Sequence, residues 1–378
     1  MPRLLISCGE ASGDLYGAEL VRELRKRVRD LDVLGLGGDR LQSEGASLLA
    51  HAKDLAVVGL LEVLSHLRDL RAVFRRVVQE VDRRPPDAAV LVDYPDFNLR
   101  LARALRERGV PVVYYVSPQV WAWRRGRLRA IRETVARMIV IFPFEEELYR
   151  QAGVPVTFVG HPLVSLVEPA PDRDAFLRER GLDPARPVVA LLPGSREKEV
   201  AHNLPPMAAA VEALGALRPD VQFLAAAAPA LDARALRAGL GSRPVAVVQD
   251  RTHAVLSTAT AAVVASGTAT VEAALLGTPM VVVYRLSPWT YRLGRRLVRV
   301  PYYAMVNLIA GRRIVPELIQ SDFTPARVAA EVLPLLADTA ARREMVTGLG
   351  EVREKLGSAG ASGRAAEAVA PFLLAEKT

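Results

Sequence analysis

Short, near-continuous apolar runs alternate along this chain with stretches whose apolar positions recur every three to four residues. The runs "RLLISC", "DVLGLGG", "DAAVLVDY", "PVVYYVS", "RMIVIF" and "VTFVG" predict strands in the first half. Amphipathic stretches such as Leu15 to Val28 and Leu99 to Arg108 lie between them. Strands this uniformly apolar, separated by helices, predict parallel sheets covered on both faces. From Pro162 to Pro187 the chain turns rich in proline and charge, which predicts a linker with a short helix. The alternation then restarts with "PVVALLPG", "VQFLAAAA", "PVAVVQ", "AAVVASG" and "PMVVVYR", and the last stretch reads as mostly helical.

The pattern predicts an α/β protein of two doubly wound, Rossmann-like domains, 1–165 and 166–345, followed by a helical tail over 346–378. In such sheets ligands gather at the carboxyl ends of the strands, so a cleft between two such halves is the expected place for chemistry.

The chain has 378 residues, half of them hydrophobic, and a net charge of +8. Arginine carries most of the excess, which favours anionic partners and bidentate phosphate contacts. No apolar run reaches the length that spans a bilayer, and the apolar part of the N-terminus is short for a secretory signal. A single cysteine, Cys8, excludes an internal disulfide, and a cytoplasmic setting is expected.

Three turns carry candidate chemistry. Ser266, Gly267 and Thr268 follow the run "AAVVA" and precede a helix expected to start near Thr270. Helix N-termini offer unpaired N–H groups and partial positive charge, so this turn suits a phosphate, with Glu272 one turn on to take a ribose diol. An N-capped helix with a dipole-compensating acid accounts for the same residues. In "LLPGSREKE", Gly194, Ser195 and Arg196 stand between a strand and a helix without P-loop spacing; Arg196 can clamp a diphosphate. In "SCGEASGDLYGAEL", Glu10, Ser12 and Gly13 open the first helix and suit a polyhydroxyl or anionic acceptor, with an Asp14 cap as the alternative.

Asp93 and Asp96 lie in "LVDYPDFN", which ends the third main strand. Asp96 reads as the cap of a helix beginning near Phe97, which leaves Asp93 as the candidate general base. The two D-x-D pairs, Asp30/Asp32 and Asp172/Asp174, read as solvated turns. The histidines have no metal spacing, and His161 reads as structural or hinge-like. No metal and no cofactor is expected.

From Leu55 to Val81, Leu60, Leu64, Leu67, Leu70, Phe74, Val77 and Val81 make a helical core stripe. Val57, Val58, Leu61 and Val63 are surplus to it and adjoin Arg68, Arg71, Arg75 and Arg76. That combination fits core burial or shallow insertion at an anionic surface. "WAWRRGRLRAIR" adds arginines and two tryptophans, but no nucleic-acid motif accompanies them, so nucleic acid is not an expected partner.

The ordered set "CGEASGDLYGA", "VVGLLEVL", "DYPDFNLRLA", "YYVSPQVWAWR", "FPFE", "VGHPL", "LLPGSR", "ASGTATVEAALLGTPMVVVYR" and "NLIAGRRIVPELIQ" resembles lipid-A-disaccharide synthase, over most of the chain. The resemblance implies a GT-B fold and an inverting, metal-independent glycosyltransferase. The implied donor is UDP-2,3-diacylglucosamine, and the acceptor is the 6-hydroxyl of 2,3-diacylglucosamine 1-phosphate. It implies peripheral attachment to the cytoplasmic face of the inner membrane, with Val57, Val58, Leu60, Leu61, Val63 and Leu64 facing it, and it admits a homodimer. Asp93 becomes the base, with Arg196 acting on the phosphates. Ser195, Ser266, Gly267, Thr268, Glu272, Asn307 and Gln320 fall on the donor side; Asn307 and Gln320 come from the resemblance alone. Glu10, Ser12, Gly13 and Asp96 fall on the acceptor side. A UDP-N-acetylglucosamine 2-epimerase shares this fold and donor site, and a noncatalytic, membrane-binding nucleotide sensor would keep the turns without needing a base.

Overall fold

β1 (Arg3–Cys8) is buried at every position but its first, and it lies near the middle of a parallel sheet. The computed structural model describes residues 1–52, 63–118, 120, 126–229, 231–287, 291–292 and 301–374; side chains 63–67 lie outside that description. Within it the chain forms two compact units, Met1–Pro162 with Gly357–Thr378, and Leu163–Leu356.

Among the described residues the first unit holds seven strands, in the order β3-β2-β1-β4-β5-β6-β7. The others are β2 (Asp32–Gly37), β3 (Ser47–His51), β4 (Ala88–Val92), β5 (Val112–Tyr115), β6 (Arg137–Val140) and β7 (Val156–Phe158). All pairings are parallel, and β1, β4 and β5 are buried nearly throughout, as the continuous apolar runs predict. Gly35 shows why one strand carries glycine: at φ +153°, a Cβ there would stand 1.8 Å from the Ile6 carbonyl oxygen.

The helix Ala11–Arg25 covers one face of this sheet, and the last helix, Ala361–Leu374, packs against it. Arg27 and Glu367 pair at 3.1 Å between them. The stretch expected as one tail from residue 346 is therefore shared, since helix Ala340–Lys355 belongs to the second unit. Helix Val63–Arg83 buries Val77 and Val81 and lays Leu70 and Phe74 against the core. Val57, Val58, Leu60 and Leu61 lie outside the described residues, and of Val63 and Leu64 only the backbone is described.

The second unit holds, among its described residues, six parallel strands in the order β10-β9-β8-β11-β12-β13. These are β8 (Val188–Leu192), β9 (Gln222–Ala227), β10 (Val245–Gln249), β11 (Ala261–Ala265), β12 (Met280–Tyr284) and β13 (Glu317–Ile319). β3 and β13, both sheet edges, are the strands the hydrophobic pattern did not predict.

Of the D-x-D residues, Asp30 is an exposed turn residue as expected, whereas Asp172 and Asp32 hold structure together. Asp172 caps helix Arg173–Arg178 by accepting from Ala175 N at 2.9 Å, and Asp32 opens β2 paired with Arg3 and Arg84. His161 is buried against the rings of Tyr16 and Phe142, and burial lowers its pKa to about 3, so it is neutral.

Candidate active site

Backbone strain gathers at the carboxyl ends of the strands, where the candidate residues lie. Among the described residues six non-glycine residues have positive φ, and five of them follow directly on strand ends: Asp93 and Tyr94 after β4, Val116 after β5, Asp250 after β10 and Gln320 after β13. Each such residue costs about 1–3 kcal/mol, so the surrounding structure must hold it.

In the first unit the restraint on Asp93 is explicit. Asp93 and Tyr94 have φ of 44° and 48°. The Asp93 carbonyl accepts from Asn98 Nδ2 at 2.7 Å and from the Tyr114 hydroxyl at 2.6 Å. Asn98 is fully buried, and its Oδ1 accepts from Ser7 Oγ at 2.7 Å, which fixes the orientation of its amide. The Tyr94 ring stacks on Phe97 and lies over Gly9, where a Cβ would stand 2.2 Å from it. Burial, and then the charges of Glu10 and Asp96, raise the Tyr94 phenol pKa. The rim at the ends of β1 and β4 is thus a cluster of acids around one tyrosine.

The other acceptor-side candidates fall on this rim. Glu10 is exposed at the N-terminus of helix Ala11–Arg25, and Ser12 is half-buried. Gly13 lies against Val92 and Cys8. Asp14 does cap a helix, but not its own: its buried carboxylate accepts from Gly38, Arg40 and Leu41 at the start of helix Asp39–Ser43. Asp96 differs from the expected cap. The helix begins at Pro95 after Tyr94, whose side chain does not cap it, and the Asp96 carboxylate pairs with Arg127. Proline at the first helical position moved the start two residues upstream.

In the second unit β8 and β11 are neighbours, so the two turns expected on the donor side stand side by side. Gly194 (φ +134°) carries the chain from β8 into Ser195 and Arg196. Glu199 braces this turn: one oxygen accepts from Ser195 N and the other from Arg196, each at 3.1 Å. Arg196 is largely exposed. After β11, Gly267 (φ +156°) and Thr268 are exposed, and helix Thr268–Leu275 starts two residues earlier than expected. Ser266 Oγ donates to Tyr303 O at 2.9 Å. Glu272 is largely buried and 3.9 Å from His253, and burial raises its pKa to about 7.

Asn307 and Gln320 occupy positions of a different kind. The buried Asn307 amide donates to Val315 O and Glu317 Oε1 and accepts from Ile314 N and Val315 N. Glu317 also accepts from the Tyr303 and Ala304 amides. Asn307 thereby holds the segment whose Tyr303 carbonyl meets Ser266. The Gln320 carboxamide faces Leu286, accepting from its N–H at 2.8 Å and donating to its carbonyl at 3.2 Å. Sequence reading passed over Asn98, Tyr114, Glu199 and Asn203. The two asparagines did leave a signal, as polar residues on apolar helical stripes with Leu101 and Leu105, and with Met207, Val211 and Leu214.

With this geometry in place, the family model described as lipid-A-disaccharide synthetase matches residues 4–369. The chain belongs to the lipid-A-disaccharide synthase family. The lipid-A-disaccharide synthase of Koribacter versatilis is 48% identical over 379 residues, covering 99% of this chain and 98% of that one. The chain is a glycosyltransferase of lipid A disaccharide synthesis. Its fold resembles that of CalG4, the calicheamicin glycosyltransferase, with TM-score 0.65, 18% identity and both chains fully covered. It also resembles the fold of the S. aureus MnaA–UDP co-structure, with TM-score 0.66 and 12% identity, covering 100% of this chain and 99% of that one. The expected GT-B-like architecture of two parallel-sheet α/β domains is therefore the observed one. No helix among the described residues is long and apolar enough to cross a membrane.

Proposed function

We propose that this lipid-A-disaccharide synthase family member moves 2,3-diacylglucosamine from its UDP donor to the 6-hydroxyl of 2,3-diacylglucosamine 1-phosphate. The products are the tetraacyl disaccharide 1-phosphate and UDP. The acceptor binds at the first unit's rim, near Glu10, Ser12, Gly13 and Asp96, and the donor at the second unit's rim.

The observation that carries this reading is the strained, doubly restrained Asp93 at the end of β4. Its carboxylate takes the 6-hydroxyl proton as that oxygen attacks the anomeric carbon, a role worth about 10²–10⁴ in rate. The bond from the anomeric carbon to the β-phosphate oxygen breaks as the new one forms, so one displacement inverts the configuration. The electron pair leaves on UDP. Arg196, Ser195 and the turn Ser266-Gly267-Thr268 stabilise that charge without a metal ion, by donors already oriented. Glu272 takes the ribose diol. Asn307 and Gln320 serve the donor by bracing the chain around it.

Attachment to the cytoplasmic face of the inner membrane through residues 57–64 completes the proposal. The exposed Arg68, Arg71 and Arg75 that follow are suited to anionic headgroups. A homodimer is the oligomeric state to test by light scattering.

The deciding experiment is UDP release in detergent micelles, with and without acceptor and with EDTA. Release that needs acceptor, persists in EDTA and falls at least a hundredfold in Asp93→Asn is the expected result. Turnover without acceptor, or an Asp93→Asn variant as fast as the parent, overturns the base assignment.

A further inference from the structure

Asp93 sits in a conformation that disfavours any residue with a Cβ, and so does Tyr94 after it. A strand end free to relax would leave that region and re-aim the Asp93 side chain. Two buried donors prevent this. Tyr114, the third residue of β5 and paired with Leu91, sends its hydroxyl to the Asp93 carbonyl at 2.6 Å. Asn98, one turn into the next helix, sends Nδ2 to the same oxygen at 2.7 Å. Both side chains are fully buried. The carbonyl is thus held from two directions, by a neighbouring strand and by the following helix.

The Asn98 amide cannot turn over, because Ser7 Oγ donates to its Oδ1 and Ser7 itself belongs to β1. Three elements, β1, β5 and the helix Pro95–Arg106, therefore converge on one peptide unit. We propose that Tyr114 and Asn98 are positioning residues that lock the Asp93 peptide and so aim the Asp93 carboxylate at the acceptor hydroxyl. This rests on Asp93 being the base. Burial, and next the Asp93 charge, push the Tyr114 phenol well above its usual range. The hydroxyl therefore remains a donor at every pH at which the enzyme would work.

The test is a cycle of Tyr114→Phe and Asp93→Asn, read by UDP release with both substrates. Tyr114→Phe keeps the ring and removes one donor. Its expected effect is about a tenfold fall in kcat, with both KM values within twofold and an unchanged fold by circular dichroism. In the Asp93→Asn background it should lower the residual kcat no further, because groups acting through one another are not additive. Ser7→Ala, which frees the Asn98 amide, should lower kcat in the same way and decides the matter if Tyr114→Phe does not fold. A folded Tyr114→Phe with parental kcat overturns the proposal, as does an equal loss in both backgrounds. If Asp93→Asn matches the parent, the base reading falls and this inference falls with it. A dead Asp93→Asn beside an unaffected Tyr114→Phe sinks only the positioning.

Discussion

Asn203 ties Pro193 to Arg285: its Nδ2 donates to the Pro193 carbonyl at 3.0 Å and its Oδ1 accepts from Arg285 N at 2.8 Å. These groups follow β8 and β12, the two strands that flank β11 and its Ser266 turn. A single buried amide therefore fixes the spacing of the strand ends on both sides of that turn. Arg285 extends the lacing by donating to the carbonyls of Gln320 and Phe323 after β13.

Replacing Asn203 by Leu leaves a buried carbonyl and a backbone N–H unpaired, which costs about 1–3 kcal/mol for each. The expected outcome is a loss of roughly 2–4 kcal/mol in urea unfolding and a UDP affinity lower by about tenfold. Stability within 0.5 kcal/mol of the parent, roughly the scatter of neutral surface changes, would show that the rim does not depend on this residue.

Glu199 holds the Ser195 amide and the Arg196 guanidinium at once. An exposed pair of this kind adds about 0–1 kcal/mol to stability. Glu199→Gln should therefore unfold at nearly the parental midpoint while the donor KM rises, because Arg196 loses its fixed place. Glu199→Ala, which also frees Ser195 N, should raise it further. Calorimetric titration with UDP checks both, and equal affinities in all three proteins would remove Glu199 from the site.

Glu272 gives a pH dependence with a definite sign. Burial raises its pKa to about 7 in the folded chain. The folded state then holds the proton more tightly than the unfolded one. The stability from this group is complete below the unfolded pKa near 4.5 and is lost as pH rises through about 7, by roughly 3–4 kcal/mol at most. Glu272→Gln should remove that part of the slope. A diol donating to the carboxylate favours its ionised form, so UDP should bind more tightly from pH 5 to 8 and release a proton. UDP affinity flat across that range in the parent would exclude a diol on Glu272.

Gly9 and Tyr94 form a packing pair, because a Cβ on residue 9 would stand 2.2 Å from the Tyr94 ring. Gly9→Ala should cost about 1–3 kcal/mol by overpacking. That cost should shrink by at least 1 kcal/mol in a Tyr94→Ala background, as contacting residues couple. Thermal unfolding of the four proteins measures it, and additive losses would mean the ring moves aside freely.

The hydrophobic pattern by itself determined the two parallel sheets and their helical cover. Strands buried on both faces must be apolar throughout, so β1, β4, β8, β11 and β12 stand out as runs. It did not disclose β3, whose positions are half-buried or exposed, or the three-residue β13, because an edge strand needs no continuous apolar run. The turns with glycine after β8 and β11 were legible as turns for a similar reason: backbone that leaves a strand at positive φ, as at Gly194 and Gly267, restricts residue type locally. Tertiary structure alone decided what holds them. Asn98 answers to Ser7, 91 positions away, and Asn203 to Arg285, 82 away. Such partners become neighbours only when strands order themselves out of sequence in the sheet. A buried amide on an apolar stripe announces that it must be satisfied, but the folded sheet chooses by what.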